Sequence, residues 1–311
     1  EIGWCDWSSD VCSSDLHMME FALTAGCKVN LYLDIVGIRP DGYHEIESLF
    51  YPLPAPCDTL LVREGESGFS LSCSDPSLAT DANIVSRAYR LFAETTGFAP
   101  DVFVHIQKGI PMGAGLGGGS SDAAAFLLWL NGRAGEKALT AGELAEAALS
   151  LGADVPFFLV NQPAWITGIG ERIEPILCDL GDTLVLLICP PLRVDTGWAY
   201  GRWDEAHVGG PRSRKKLTPH PPLTRKFCFT NPSALWNAFE NVVFQEFPLL
   251  RDIKSDVMRR GAKGCVMSGT GSTLVALFDA PEDALSCARR LHAAGCGCHA
   301  VKSGREFSLE S

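Results

Sequence analysis

The sequence predicts an α+β protein built from two domains. Strand-like alternation with turn chemistry fills its first part, and helical and strand patterns alternate through the rest. Length and composition agree. The chain has 311 residues, 46% hydrophobic and 20% charged, enough apolar material for two moderate cores.

Strand patterns come first. "CKVNLYLDI" (27–35) and "FSLSC" (69–73) alternate, and "DTLLVRE" (58–64) is short and rich in β-formers. Between the first two of these in chain order, Pro40-Asp41-Gly42 supplies a turn. Apolar residues at helical spacing predict a helix over 83–97, with Gly97 as its stop. "DVFVHIQ" (101–107) predicts a strand. A glycine-rich run then leads into "DAAAFLLWLN", a helix that Ser120 or Ser121 can cap. Thr140 and Glu143 have the spacing of a capping box for a helix ending near Leu151. In the second half, strands are expected at 163–167 and 183–189, and helices near 232–245 and 249–260. Two strands around a glycine turn (264–278), a helix (281–294) and a short strand complete the chain. Residues 209–226 form a polar loop rich in Pro and Arg.

The formal net charge is −11 and no long basic run offsets it, which argues against a nucleic-acid partner. No apolar run reaches the roughly 18–20 residues that span a bilayer. The longest candidate, "TLVLLICPPL" (183–192), is broken by prolines. Twelve cysteines include no C-x-x-C pair, and "CGCH" (296–299) lacks a second ligand pair at zinc-like spacing. A reduced, cytoplasmic protein is expected. Residues 1–17 stand apart: "DWSSDVCSSDL" resembles a translated sequencing adapter and has no signal-peptide pattern. The natural start is expected at Met18 or Met19.

The stretch "KGIPMGAGLGGGSSDAAAF" (108–126) carries the first functional signal. A P-loop needs a Lys after its last glycine, and here Ser120 and Ser121 follow Gly119. Gly113, Gly115 and Gly118 formally satisfy a dinucleotide fingerprint. However, several strands precede them and no acidic residue ends a following strand at the required distance. What remains is a phosphate cradle at a helix N-terminus, with free N–H groups, the positive end of the macrodipole and glycines allowing close approach. A flexible linker would not be flanked by a strand and a strongly apolar helix.

The segment "PMGAGLGGGSSDAAA" resembles the central motif of the GHMP kinases. "AGCKVNLYLDIVGIRPDGYHEIESLF", "LGADVPFFL" and "SGTGSTLVALF" resemble other motifs of that family, in the family's order. The likeness extends from Glu20 to about Val301. It points to the branch whose acceptor is cytidine-diphosphate-linked methylerythritol, with homoserine- or mevalonate-type alcohols as the alternative. The resemblance implies an N-terminal ATP domain of ribosomal-protein-S5-domain-2 type over 18–168. It also implies a ferredoxin-like C-terminal α/β domain over 169–304 and a tail over 305–311. It further implies ATP with Mg2+, a small-molecule acceptor, and a monomer or homodimer.

Carried over residue by residue, the likeness makes Asp154 the catalytic carboxylate and Lys28 the lysine beside it. A nearby cation keeps a carboxylate ionised and can stabilise a developing alkoxide. Pro111, Met112, Gly113, Ala114, Gly115, Leu116, Gly117, Gly118, Gly119, Ser120 and Ser121 would hold ATP. Asn30 shares a strand face with Lys28. With Tyr43, His44, Thr196 and Tyr200 it forms the expected substrate set, in which Tyr43 and Tyr200 sandwich the cytosine ring. Metal ligands stay unassigned. Gly26-Cys27 departs from the family's Pro-Ala before the lysine, and Ala238 replaces an acidic residue. The basic run 211–222 is expected to be solvated loop.

Overall fold

The computed structural model describes residues 19–65, 67–207, 227–228, 234–302 and 305–307. The adapter-like segment and the loop of 209–226 lie outside the described residues.

Two long strands dominate the first half. β1 (Glu20–Ile38) and β2 (His44–Glu64) form an antiparallel ladder with register shifts at Ala25/Cys27, Asn30/Tyr32 and Ile35/Gly37. The patterns at 27–35 and 58–64 are therefore parts of much longer strands. Bulges of this kind let a strand continue while its side chains are re-aimed. Gly26 sits at the first shift, where a Cβ would lie 2.6 Å from the Leu53 carbonyl oxygen, so the close approach requires a glycine.

β3 (Phe69–Cys73) pairs in parallel with β4 (Val102–Gln107), which pairs with β2. Between them runs α1 (Ile84–Thr96), capped by the Asn83 side chain and stopped by left-handed Gly97. α2 (Gly118–Arg133) and α3 (Ala141–Leu151) follow, the second with the expected Thr140–Glu143 capping box. Then come the single turn and a half of α4 (Val155–Val160) and the hairpin β5 (Ala164–Thr167) and β6 (Arg172–Pro175), which extends the same sheet from β2. Phe92, Phe126 and Phe157 are fully buried between these helices and the sheet. Each such side chain contributes about 1.5–3 kcal/mol of transfer free energy.

The second half builds its own sheet. After the two-residue β7 (Cys178–Asp179), the fully buried β8 (Leu184–Cys189) forms the sheet's centre. α5 (Thr196–His207) comes next, and β9 (Phe227–Cys228) pairs with β7. β10 (Trp236–Asn237), α6 (Glu240–Glu246) and α7 (Pro248–Arg259) precede β11 (Gly264–Met267) and β12 (Leu274–Phe278). α8 (Pro281–Ala293), β13 (Gly297–Lys302) and β14 (Arg305–Phe307) close the fold. The sheet order is β11-β12-β8-β13-β14, with every neighbour antiparallel.

Three expectations need correction. The helix near 232–245 is helical only from Glu240, because Trp236 and Asn237 instead add a short parallel strand to β1. α2 begins at Gly118, not after a serine cap: Gly117 is the N-cap at φ 74° and no side chain caps the helix. The hairpin β5–β6 spans the expected domain boundary at residue 168. Tertiary pairing overrode local propensity in the first case. In the second, left-handed Gly117 opens the helix where a serine cap was expected.

Candidate active site

β1 places Lys28 in the interior, 5% exposed, a position a lysine holds only when paired. Its Nζ lies 3.4 Å from Asp154 Oδ2, donates to Asn30 Oδ1 at 2.8 Å and sits 4.2 Å from the centre of the Phe50 ring. Asp154 is the residue before α4, where its side chain makes no capping bond and stays about one-third exposed toward the site. The Lys28 backbone N–H donates to Leu116 O, which ties β1 to the glycine loop.

That loop turns through positive φ at Gly113, Gly115 and Gly117. At Gly115 a Cβ would meet the Ser268 carbonyl oxygen at 2.4 Å, and at Gly117 it would crowd Phe158 and the Lys28 stem. The loop thus packs against both the lysine and the second glycine turn, and leaves the first N–H groups of α2 without side-chain partners. A cavity of about 500 Å³ opens here, lined by every residue from Pro111 to Ser120. Ser121 is buried and is not part of that lining.

Leu78, Asn83, Lys108 and Asp122 also line the cavity, and sequence reasoning missed them. Asp58 Oδ1 accepts from the backbone N–H groups of Gly109 and Ile110 at 2.7 and 2.8 Å, and its other oxygen meets Lys108 Nζ. Lys108 also donates to Asp122 Oδ2 at 2.8 Å, while Asp122 Oδ1 is buried without a hydrogen-bond partner. Burial pushes the Asp122 carboxyl up to about 7, against the pull of Lys108. Lys108 and Asp122 flank the glycines in sequence, which is a usable signal. Nothing in the sequence marks Asp58 as their partner.

On the other side, His44 Nε2 lies 2.7 Å from Asp204 Oδ1. Its ring meets Tyr200 at 4.6 Å and the edge of Trp203 at 5.8 Å. Tyr200 packs on Phe239, and burial, followed by the Asp154 charge, raises its hydroxyl to about 12. Tyr43 is 60% exposed, so it is the His44 ring that meets Tyr200. The Thr196 hydroxyl is 3.2 Å from that of Thr270, at the second glycine turn. Asn237, in β10, holds this turn by donating to Met267 O and Gly269 O. Asn30 is 1% exposed, and all its polar atoms are engaged within the protein.

A glycine cradle leading into an uncapped helix, packed against a lysine–carboxylate pair within the same N-terminal half, is the arrangement of a GHMP-type phosphotransferase. The GHMP kinases N terminal domain matches residues 83–162, and the GHMP kinases C terminal domain matches 228–295. A 4-diphosphocytidyl-2-C-methyl-D-erythritol kinase of Solidesulfovibrio magneticus is 46% identical over 83% of this chain and 88% of its own. That of Nitratidesulfovibrio vulgaris (strain Hildenborough) is 43% identical over 88% and 95%. A crystal structure titled 4-(cytidine 5'-diphospho)-2C-methyl-D-erythritol kinase superposes with TM-score 0.73 at 33% identity, covering 92% of this chain and all of that one. The mevalonate kinase of Methanococcus jannaschii, at 14% identity and TM-score 0.63, shares the fold. The chain belongs to the 4-diphosphocytidyl-2-C-methyl-D-erythritol kinase family of GHMP kinases.

Proposed function

We propose that this kinase transfers the γ-phosphoryl group of ATP to the 2-hydroxyl of 4-diphosphocytidyl-2-C-methyl-D-erythritol. The product is the 2-phosphate, an intermediate of the non-mevalonate route to isoprenoid precursors. The observation that carries the mechanism is the Lys28–Asp154 pair, 3.4 Å apart beside the glycine loop. Asp154 accepts the proton of the attacking hydroxyl. Lys28 offsets the negative charge that builds on the acceptor oxygen and the transferred group. The N–H groups of the loop and of the first turn of α2, which no side chain caps, hold the phosphates in the cavity that the loop lines. Mg2+ is expected to enter with ATP and to neutralise phosphate charge. Among the described residues no group of three His, Cys, Asp or Glu side chains could cage it; Ser120, which lines the cavity, would offer it a hydroxyl.

The corner formed by His44, Tyr200 and Trp203 supports a flat cytosine ring as the acceptor's handle. Tyr43 can supply the opposite face and Thr196 a hydroxyl contact. No helix among the described residues is long and apolar enough to cross a membrane. A cytoplasmic enzyme remains our reading. ADP release measured with the cytidine-linked alcohol, homoserine and mevalonate tests the substrate. Turnover is expected with the first, and turnover with either of the others in its place would overturn the assignment.

A further inference from the structure

We infer that Ser48 and Ser268 are positioning residues for phosphoryl transfer: together they fix the Asn30 amide with its oxygen end on Lys28. This rests on the assignment of Lys28 to the reaction.

An asparagine amide has two chemically opposite ends, an oxygen that accepts and an NH2 that donates. A lysine ammonium only donates. Asn30 can therefore hold Lys28 only with Oδ1 turned toward it, and the shape of the amide does not decide that orientation. Its neighbours do. The Ser48 hydroxyl donates to Tyr32 O at 2.6 Å, which commits its one hydrogen. Its lone pairs then face Asn30, and Nδ2 donates into them at 2.9 Å. On the other side, Ser268 Oγ accepts from the Asn30 backbone N–H at 3.1 Å. Its hydrogen can go to Asn30 Oδ1 at 3.3 Å or to Gly115 O at 3.1 Å. Both partners are acceptors, so Ser268 favours the same orientation of the amide. Reversing the amide would set NH2 against an ammonium and leave the Ser48 lone pair facing a carbonyl oxygen.

Asn30, Ser48 and Ser268 are 1%, 0% and 0% exposed, so water cannot replace a missing partner. Ser268 lies in the second glycine turn and also touches the first glycine loop at Gly115. A single hydroxyl therefore links the phosphate cradle to the residue that aims Lys28. Ser48 reaches Lys28 only through Asn30.

The test uses the full-length enzyme with Ser48→Ala and Ser268→Ala, and reads two quantities. The first is the rate of Lys28 acylation by acetic anhydride, followed by mass spectrometry, which needs no acceptor substrate. The second is the kcat and KM of ADP release. Both variants should label Lys28 several-fold faster than the parent enzyme. Both should lose about ten-fold in kcat with KM for ATP and acceptor held within about three-fold, because an aiming defect acts on the transition state. Unchanged Lys28 labelling overturns the proposal whatever kcat does, and so does an unchanged kcat. If an alanine variant does not fold, Ser48→Cys and Ser268→Cys keep the volume, weaken the hydrogen bond and are judged by the same outcomes. Failure of the parent enzyme to turn over the cytidine-linked alcohol would remove the substrate assignment alone, since the labelling comparison stands without it.

Discussion

At the residue scale, two carboxylates have opposite duties. Asp154 stands partly exposed beside Lys28, where the proposed reading has it take the proton of the acceptor hydroxyl. Asp154→Asn keeps the shape and removes the base, so kcat should fall by about 10²-fold or more while ATP affinity stays within a few-fold. Single-turnover kinetics and nucleotide titration measure both, and near-normal kcat would take Asp154 out of the mechanism. Asp122 is buried with one oxygen unpaired, and its carboxyl is raised to about 7. An unfolded Asp titrates near 3.9, so the folded state binds this proton more tightly. Its contribution to stability is therefore complete below about pH 4 and is lost as pH rises toward about 7. Asp122→Asn should gain stability relative to the parent enzyme across that window. Urea midpoints that differ by the same amount at every pH would refute this. The motif made Lys28 and Asp154 legible in the sequence. It gave no hint that Asn30 would be enclosed, because enclosure depends on Ser48 and on Ser268 in the other half of the chain.

At the element scale, the glycine loop is shaped by what it touches. Gly115 combines φ 77° with a carbonyl oxygen 2.4 Å from where a Cβ would stand. Gly115→Ala must therefore push the loop off the second glycine turn, and a left-handed non-glycine residue costs roughly 1 kcal/mol before any clash. Nucleotide affinity should drop at least ten-fold, measured by ADP titration, whereas Gly142→Ala, on the open face of α3, should leave it unchanged. Equal affinities in the two variants would show that the close approach is unimportant. The stop at Gly97 and the cap at Thr140 read correctly from sequence because each acts within a few residues. The start of α2 read incorrectly because Ser120 has good capping chemistry, but Gly117 is already left-handed and Gly118 and Gly119 already helical, packed against Phe158, Lys28, Ile110, Asp58 and Ile84 from other elements.

For the whole molecule, the two sheets share apolar cores. Leu33, Ile35 and Ile46 from β1 and β2 pack in one cluster with Leu186, Phe239 and Leu274 of the second half. In a second cluster, Val29 and Leu31 pack with Val185 and Val275. Two domains joined in this way should unfold in a single transition, although multidomain chains often do not. Tryptophan fluorescence and far-UV circular dichroism should give coincident urea curves, and two resolved midpoints would show independent domains. By itself the sequence determined the α+β class, most helices and strands, the glycine run as a candidate phosphate cradle and the lysine and carboxylate that the structure brings within 3.4 Å of each other. These follow from periodicity, turn chemistry and motif, which are local. Tertiary structure alone decided that β10 returns to β1, that Asp58 locks Lys108 beneath the loop, and that His44 faces Tyr200. The physical reason is that a buried polar group takes its partner from whatever sheet register and domain packing place within about 3 Å. That placement is set by the sum of non-local apolar contacts, which no short stretch of sequence contains.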